Sequence, residues 1–195
     1  MIVIRNADSL KKKKLAATIG FFDGVHKGHQ FLIKNIIDEA KLNNIESTII
    51  TFDKHPREVL HSDYQPNMLS TYDEKLVMLS LTGIDNCVTI PFDLEMANLS
   101  ARDFMGEILR DRLNVKTFII GYDNRFGHYN DNEGFDDYVN YGKELGINVI
   151  NDIATDNSGN AKVNLFYEGT NKIKVLNDKY SLNLNYDVLN KLSIT

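Results

Sequence analysis

The stretch Gly20-Phe21-Phe22-Asp23-Gly24-Val25-His26-Lys27-Gly28-His29 constrains this chain more than any other. The apolar run Leu15 to Phe22 enters it and reads as a buried strand. Asp23-Gly24 is a turn pair. From about Lys27, the residues Leu32, Ile33, Ile36, Ile37 and Ala40 recur at helical spacing, which predicts an amphipathic helix. A strand, a glycine-bearing loop and a helix N-terminus in that order suit a phosphate. The first helical turn offers unpaired N–H groups and the positive end of the helix dipole. His26 and His29 fall there, and Gly28 removes a side chain that would hold a phosphate off the backbone.

At 195 residues the chain can form one domain with a full core and a small appendage. A formal net charge of -5 argues against a nucleic-acid-binding surface. Lys11 to Lys14 is the one basic block; without interleaved aromatics it reads as the solvated approach to a strand. The single cysteine, Cys87, excludes an internal disulfide and a cysteine-based zinc site. It lies in Asn86-Cys87-Val88-Thr89-Ile90, a short buried strand by composition. No apolar run nears the roughly 20 residues needed to span a bilayer, and no leader peptide is visible, so the expected compartment is the cytoplasm.

Further strands are expected at Met1–Ile4, Ser47–Phe52, Val115–Ile120 and Ile147–Ile150. Helices are expected from Tyr72 to Leu81 with Leu76, Met78 and Leu79 inward, from a capping box at Ser100 and Asp103 onward, and from Phe135 to Leu145. Asn43-Asn44, Gly83 and Gly146 are the expected helix stops. Alternation of strand and helix implies an α/β fold, a parallel sheet with helices on both faces. Ligands bind such sheets beyond the carboxyl ends of the strands. The polar loops 20–29, 53–58 and 121–128 each follow such an end and are expected to converge on one cleft.

Two histidines three residues apart could bind a metal, but no third ligand stands at suitable spacing. Alternatively, one could cap the helix while the other packs. Donation of imidazole N–H groups to phosphate oxygens fits the glycine and turn context better. The chain has no G-x-x-x-x-G-K-[ST] loop and no G-x-S-x-G elbow. In-line nucleotidyl transfer needs neither, because positioning, a metal ion and charge stabilisation suffice.

Four segments carry a family resemblance: Ala17 to His29; Thr51-Phe52-Asp53-Lys54-His55-Pro56-Arg57-Glu58-Val59-Leu60; Leu99 to Met105; and Gly121-Tyr122-Asp123-Asn124-Arg125-Phe126-Gly127. Together they resemble the FMN adenylyltransferase (FAD synthetase) module of the bacterial bifunctional riboflavin kinase/FAD synthetase family. The resemblance implies a Rossmann-like fold of the His-x-Gly-His nucleotidyltransferase type. It implies that FMN and ATP, with Mg²⁺, give FAD and pyrophosphate. Catalysis would fall to His26, His29 and Asp23, the last holding Mg²⁺ or orienting a histidine, with no further metal ligands. ATP would lie against Gly20, Phe21, Phe22, Gly28, Asp123, Asn124, Ser158 and Lys162. Flavin would meet Phe52, Pro56, Leu60 and Phe126.

Against the family's pattern, Ser158-Gly159-Asn160-Ala161-Lys162 keeps one hydroxyl, and a lysine stands near the expected arginine. Residues 1–178 are expected to form the nucleotidyltransferase domain, with 179–195 a short tail in place of the kinase module. Kinase activity is then not expected, and a separate riboflavin kinase would supply FMN. Two alternatives stay open: a degenerate homologue that binds nucleotide or flavin without turnover, and transfer to another phosphorylated acceptor such as phosphopantetheine.

Overall fold

The computed structural model describes residues 1–5, 10, 13–60, 67–121, 126–127 and 133–151, and the backbone of 154–155 and 161–162. The chain divides into two units, Met1–Asp152 and Ile153–Thr195. The expected boundary at residue 178 lies outside the described residues. In the second unit β7 (Ala154–Thr155) and β8 (Ala161–Lys162) pair antiparallel.

The first unit is a six-stranded parallel sheet in the order β1-β4-β3-β2-β5-β6. Its strands are β1 (Ile2–Ile4), β2 (Leu15–Ile19), β3 (Glu46–Phe52), β4 (Asn86–Ile90), β5 (Val115–Ile120) and β6 (Asn148–Asn151). From β2 the chain steps through β3 to β4, then returns to lay β5 and β6 on the other side. The order reverses between β2 and β5, the point at which sheets of this kind bind ligands beyond the carboxyl ends of their strands.

Each central strand is buried on both faces, so alternation sorts its residues between two cores. Leu15, Ala17 and Ile19 of β2 face one side with Ile50, Val88 and Phe118; Ala16 faces the other with Ile49, Cys87 and Ile119. The second core is closed by α1 (Lys27–Asn43), through Leu32, Ile33, Ile36 and Ala40, and by Leu79 of α3 (Tyr72–Ser80). Ile36 is fully buried, so truncating it to Ala would cost about 2–5 kcal/mol. Asn44 in the left-handed conformation ends α1 as expected, its N–H reaching Ala40 and Lys41 carbonyls.

Several elements differ from expectation. β2 stops at Ile19 rather than Phe22: the Gly20 N–H still reaches Ile50 O at 3.0 Å, and Phe22 then turns left-handed at φ 58°. The supposed loop 53–58 holds a short helix, α2 (Pro56–Leu60), because Pro56 suits a first helical position and His55 Nδ1 accepts the Arg57 N–H. Asp93 caps an unforeseen helix, α4 (Leu94–Asn98).

Ser100 caps α5 (Ala101–Asp103) as expected, but the chain then continues as a π-helix over Phe104–Arg112, where the Leu113 N–H reaches Ile108 O five residues back. This segment and α6 (Phe135–Leu145) cover the first core. Of the basic block, Lys13 pairs with Glu46 at 2.8 Å across the amino ends of β2 and β3. Among the described residues no helix is long and apolar enough to cross a membrane.

Candidate active site

The carboxyl end of β2 leads through a short turn, Asp23–Val25, into the N-terminus of α1. Phe22 and Val25 both hold positive φ, 58° and 38°. For non-glycine residues this costs of order 1–3 kcal/mol each and needs surrounding structure to enforce it. Burial supplies that here, since Phe22 is 1% and Val25 4% exposed. Gly24, at φ 65°, has Leu69 side-chain carbons 3.1–3.2 Å from where a Cβ would sit.

His26 is the N-cap of α1. Its Nδ1 accepts the His29 N–H at 3.4 Å, so the neutral ring carries its proton on Nε2. The two imidazoles stack with centroids 3.6 Å apart and planes 20° from parallel. His29 also leans on Phe22, centroid to centroid 5.0 Å. Burial, and then the neighbouring His26, push the His29 ring down to about 4 from 6.5, against a smaller upward pull from Asp23. At neutral pH His29 is therefore an uncharged donor and acceptor. Its buried Nδ1 has no hydrogen-bond partner among the described residues. The Lys27 and Gly28 N–H groups, lacking intrahelical acceptors, lie at the positive end of a 17-residue helix, an arrangement that can receive an anion. Capping and packing, the structural alternative for the pair, thus coexist with a donor geometry.

Asp23 is otherwise employed than expected. Its Oδ2 accepts the Leu69 N–H at 2.8 Å, and its Oδ1 accepts both the N–H (2.9 Å) and the hydroxyl (2.8 Å) of Ser70. Ser70 Oγ in turn accepts the Gly24 N–H at 3.1 Å. Burial alone would raise this carboxyl, but these bonds outweigh it and hold Asp23 below the usual range. The carboxylate is a clasp between the turn and the segment 69–70.

Beyond the clasp lies a pocket of about 360 Å³, lined by Phe21, Asp53, His55, Met68, Leu69 and Tyr72 among others. Phe21 and His55 meet edge to face at 4.8 Å, so the loops after β2 and β3 do converge. Beneath them the Lys75 ammonium donates to Phe21 O, Thr51 Oγ1 and Phe52 O at 3.1, 3.1 and 3.2 Å.

A family model described as FAD synthetase matches residues 8–163. The chain belongs to the FAD synthetase family. It is 40% identical over 129 residues to the bifunctional riboflavin kinase/FMN adenylyltransferase of Buchnera aphidicola from Schizaphis graminum, covering 65% of this chain and 41% of that one. It is 34% identical over 124 residues to the enzyme of the same name from Escherichia coli K12, covering 64% and 40%. A second Buchnera aphidicola relative, from Acyrthosiphon pisum, is 29% identical over 191 residues, covering 95% and 56%. The chain thus spans about two fifths of the length of the first two relatives. A solved structure titled as a macrolide-efflux protein from Streptococcus pneumoniae superposes with a TM-score of 0.65 at 24% identity, over 90% of this chain and 56% of that one, which shows the shared fold.

Within this FAD synthetase fold the remaining expected site residues scatter. Gly20 keeps its N–H in the sheet, and the Phe22 ring is core, bracing His29. Phe21 lines the pocket, against His55 of the loop after β3. Phe52 is 8% exposed and packs edge-on to Phe92; Pro56 is half-buried; Leu60 is 52% exposed. Phe126, expected at the flavin, packs into the first core. It is 8% exposed and sits among Phe104, Phe118 and Tyr138 at 4.7–5.6 Å, because the first core needs an aromatic beside β5. Gly127 follows at φ 79°, with Ala101 N only 2.4 Å from where a Cβ would sit. Asp123, Asn124 and Ser158 lie outside the described residues, and Lys162 falls in β8 of the second unit.

The expected set lacked Leu69, Ser70, Tyr72 and Lys75. One signal pointed to Lys75: it interrupts the apolar stripe of α3, three residues after Tyr72 and four before Leu79.

Proposed function

We propose that this chain transfers the adenylyl group of ATP to FMN, giving FAD and pyrophosphate. The stacked His26–His29 pair at the N-terminus of α1 carries this reading, in a chain of the FAD synthetase family. An FMN phosphate oxygen attacks the α-phosphorus of ATP, and the bond to the oxygen bridging the α- and β-phosphorus breaks. Pyrophosphate leaves with that electron pair. The attacking oxygen is already ionised at neutral pH, so no side chain need act as a base. His26 Nε2–H, the neutral His29 ring and the α1 terminus meet charge on the phosphates as it builds.

ATP is assigned to the carboxyl end of β2 at the α1 terminus, with Gly28 against its phosphates; the ATP roles of Asp123, Asn124, Ser158 and Lys162 rest on the family resemblance alone. The flavin is assigned to the pocket beside Phe21, which is within the size of small-molecule sites, about 300–1,000 Å³. Of α2, Glu58 lines it; the flavin roles of Pro56 and Leu60 rest on the family resemblance alone. Magnesium is taken to arrive as MgATP. Among the described residues no three His, Cys, Asp or Glu side chains group as a cation site, and the Asp23 oxygens already accept three hydrogen bonds. FMN is a phosphorylated flavin, so a riboflavin kinase reaction must supply it, and the cytoplasm is the compartment proposed.

The test is FAD formation, followed by chromatography, from FMN and MgATP, with His29→Ala as the control. The wild-type protein is expected to make FAD. Absence of product at high enzyme concentration sinks the reading; calorimetric binding of FMN or ATP in that case marks a binding homologue. Product with phosphopantetheine in place of FMN would reassign the acceptor.

A further inference from the structure

Lys75 is 2% exposed, and the three N–H bonds of its ammonium go to three uncharged oxygens. Its Nζ also stands 4.0 Å from the centroid of the Phe21 ring. Burial pulls the ammonium below the ordinary lysine range, against opposing pulls from Cys87, Asp23 and Asp53. Burying a cation costs several kcal/mol, and a well-packed apolar side chain in its place is often neutral or better for stability. Stability therefore does not account for a lysine here.

What the ammonium holds is more informative. Phe21 is the last residue before the left-handed Phe22 that starts the turn to His26. Phe52 is the last residue of β3, before the loop that carries Asp53 and His55. Carbonyls at the ends of neighbouring strands have run out of ladder donors and need another source. One ammonium, projecting from α3, supplies both. Thr51 completes the knot, its hydroxyl donating to Phe21 O at 3.1 Å while accepting from Lys75. The same helix begins two residues after Ser70, the end of the segment clasped by Asp23, so α3 grips the β2 exit twice.

We propose that Lys75 is a positioning residue for adenylyl transfer, tying the exits of β2 and β3 so that the phosphate turn and the flavin pocket keep one mutual geometry. This rests on the reading of the site as an adenylyltransferase. All three ammonium hydrogens are committed to the protein, so Lys75 acts through the backbone and not on a substrate.

Lys75→Met keeps the length of the side chain and removes its donors. It is expected to lower kcat on the order of a hundredfold, the scale of a misplacement near 1 Å. KM for ATP and FMN should move by less than about threefold, since each half-site survives by itself. Hydrogen–deuterium exchange should quicken about tenfold or more in residues 20–26 and 53–58 and stay unchanged in β5 and α6. Thr51→Val keeps the charge and should give a smaller fall, about tenfold. The double variant should be no worse than Lys75→Met, because both cut one knot. Val77→Ala, on the exposed side of α3, should change neither readout.

Retention of kcat within about threefold in Lys75→Met, or exchange that quickens evenly across the sheet, overturns the proposal in favour of a purely structural lysine. Should Lys75→Met not fold, Thr51→Val decides, and unchanged kcat and loop exchange in it overturn the proposal equally. Should the wild type make no FAD, the adenylyl-transfer reading fails on its own, and the exchange comparison still shows whether Lys75 sets the two strand exits.

Discussion

The two parts of the candidate site, the histidine turn and the pocket, are built from opposite kinds of contact. The phosphate side lies within one continuous stretch: His26 caps the helix that His29 belongs to, and Phe22, seven residues earlier, braces the second ring. The pocket side is assembled across the chain. Asp23 reaches Ser70 over 47 residues, and Lys75 reaches Phe21 over 54. A local site needs little more than its own helix and turn. A site of distant parts needs the sheet and α3 in place first, and each hydrogen bond in it constrains two elements at once. The difference teaches that, on the proposed reading, affinity for phosphate and affinity for flavin would fail separately.

The strongest way to break this contrast is at the histidine pair. His29→Ala should lower kcat by about 10²–10³, the usual loss for one donor to developing charge, while the fold and flavin binding persist. Flavin affinity falling in parallel would mean that the two sides are one unit. Next, Asp23→Ala strands the Leu69 and Ser70 N–H groups and should cost about 1–3 kcal/mol in denaturant unfolding. It should raise KM for FMN more than KM for ATP. An equal rise would show that the clasp serves both sides.

A third prediction concerns pH. The unfolded chain takes up a proton at His29 near 6.5, the folded one only near 4. Stability from this group is therefore whole above pH 6.5 and is lost as pH falls from 6.5 toward 4. One proton sets a ceiling of about 1.4 kcal/mol per pH unit, and solvent at the ring's open edge reduces it. Urea midpoints at pH 7 and pH 5 should differ accordingly, and His29→Gln should flatten the difference. The smallest effect belongs to Leu60→Ala. At 52% exposure it should leave stability within about 0.5 kcal/mol, with at most a few-fold rise in KM for FMN.

The same contrast explains what could be read in advance. Strand and helix periods, the Ser100 cap and the stops at Asn44 and Gly146 are local signals, and they located the sheet and most helices within a few residues. The histidine pair was legible for the same reason. The clasp made by Asp23 was not legible, because its partners, Leu69 and Ser70, lie in a segment with no motif of its own. The resemblance gave Phe126 a place at the flavin, and its packing beside Phe118 of β5 could not be read from the loop it follows. Lys75 was visible only as a charge out of place on an apolar stripe, and its meaning depended on which carbonyls lay opposite. The π-helix at Phe104–Arg112 left no mark in the residue pattern, since its apolar positions also suit an α-helix.

Gly127 bears on how mutational data for such a protein would be read. A methyl group there would meet the backbone of Ala101, the first residue of α5, in a motif whose neighbours invite a catalytic explanation. In a growth-based scan every substitution at Gly127 would score as severely as one at His29. The two intolerances would have different origins, one steric and one chemical. Abundance measured alongside growth would separate them: Gly127 variants would disappear from the cell, whereas His29 variants would persist as folded, inactive protein.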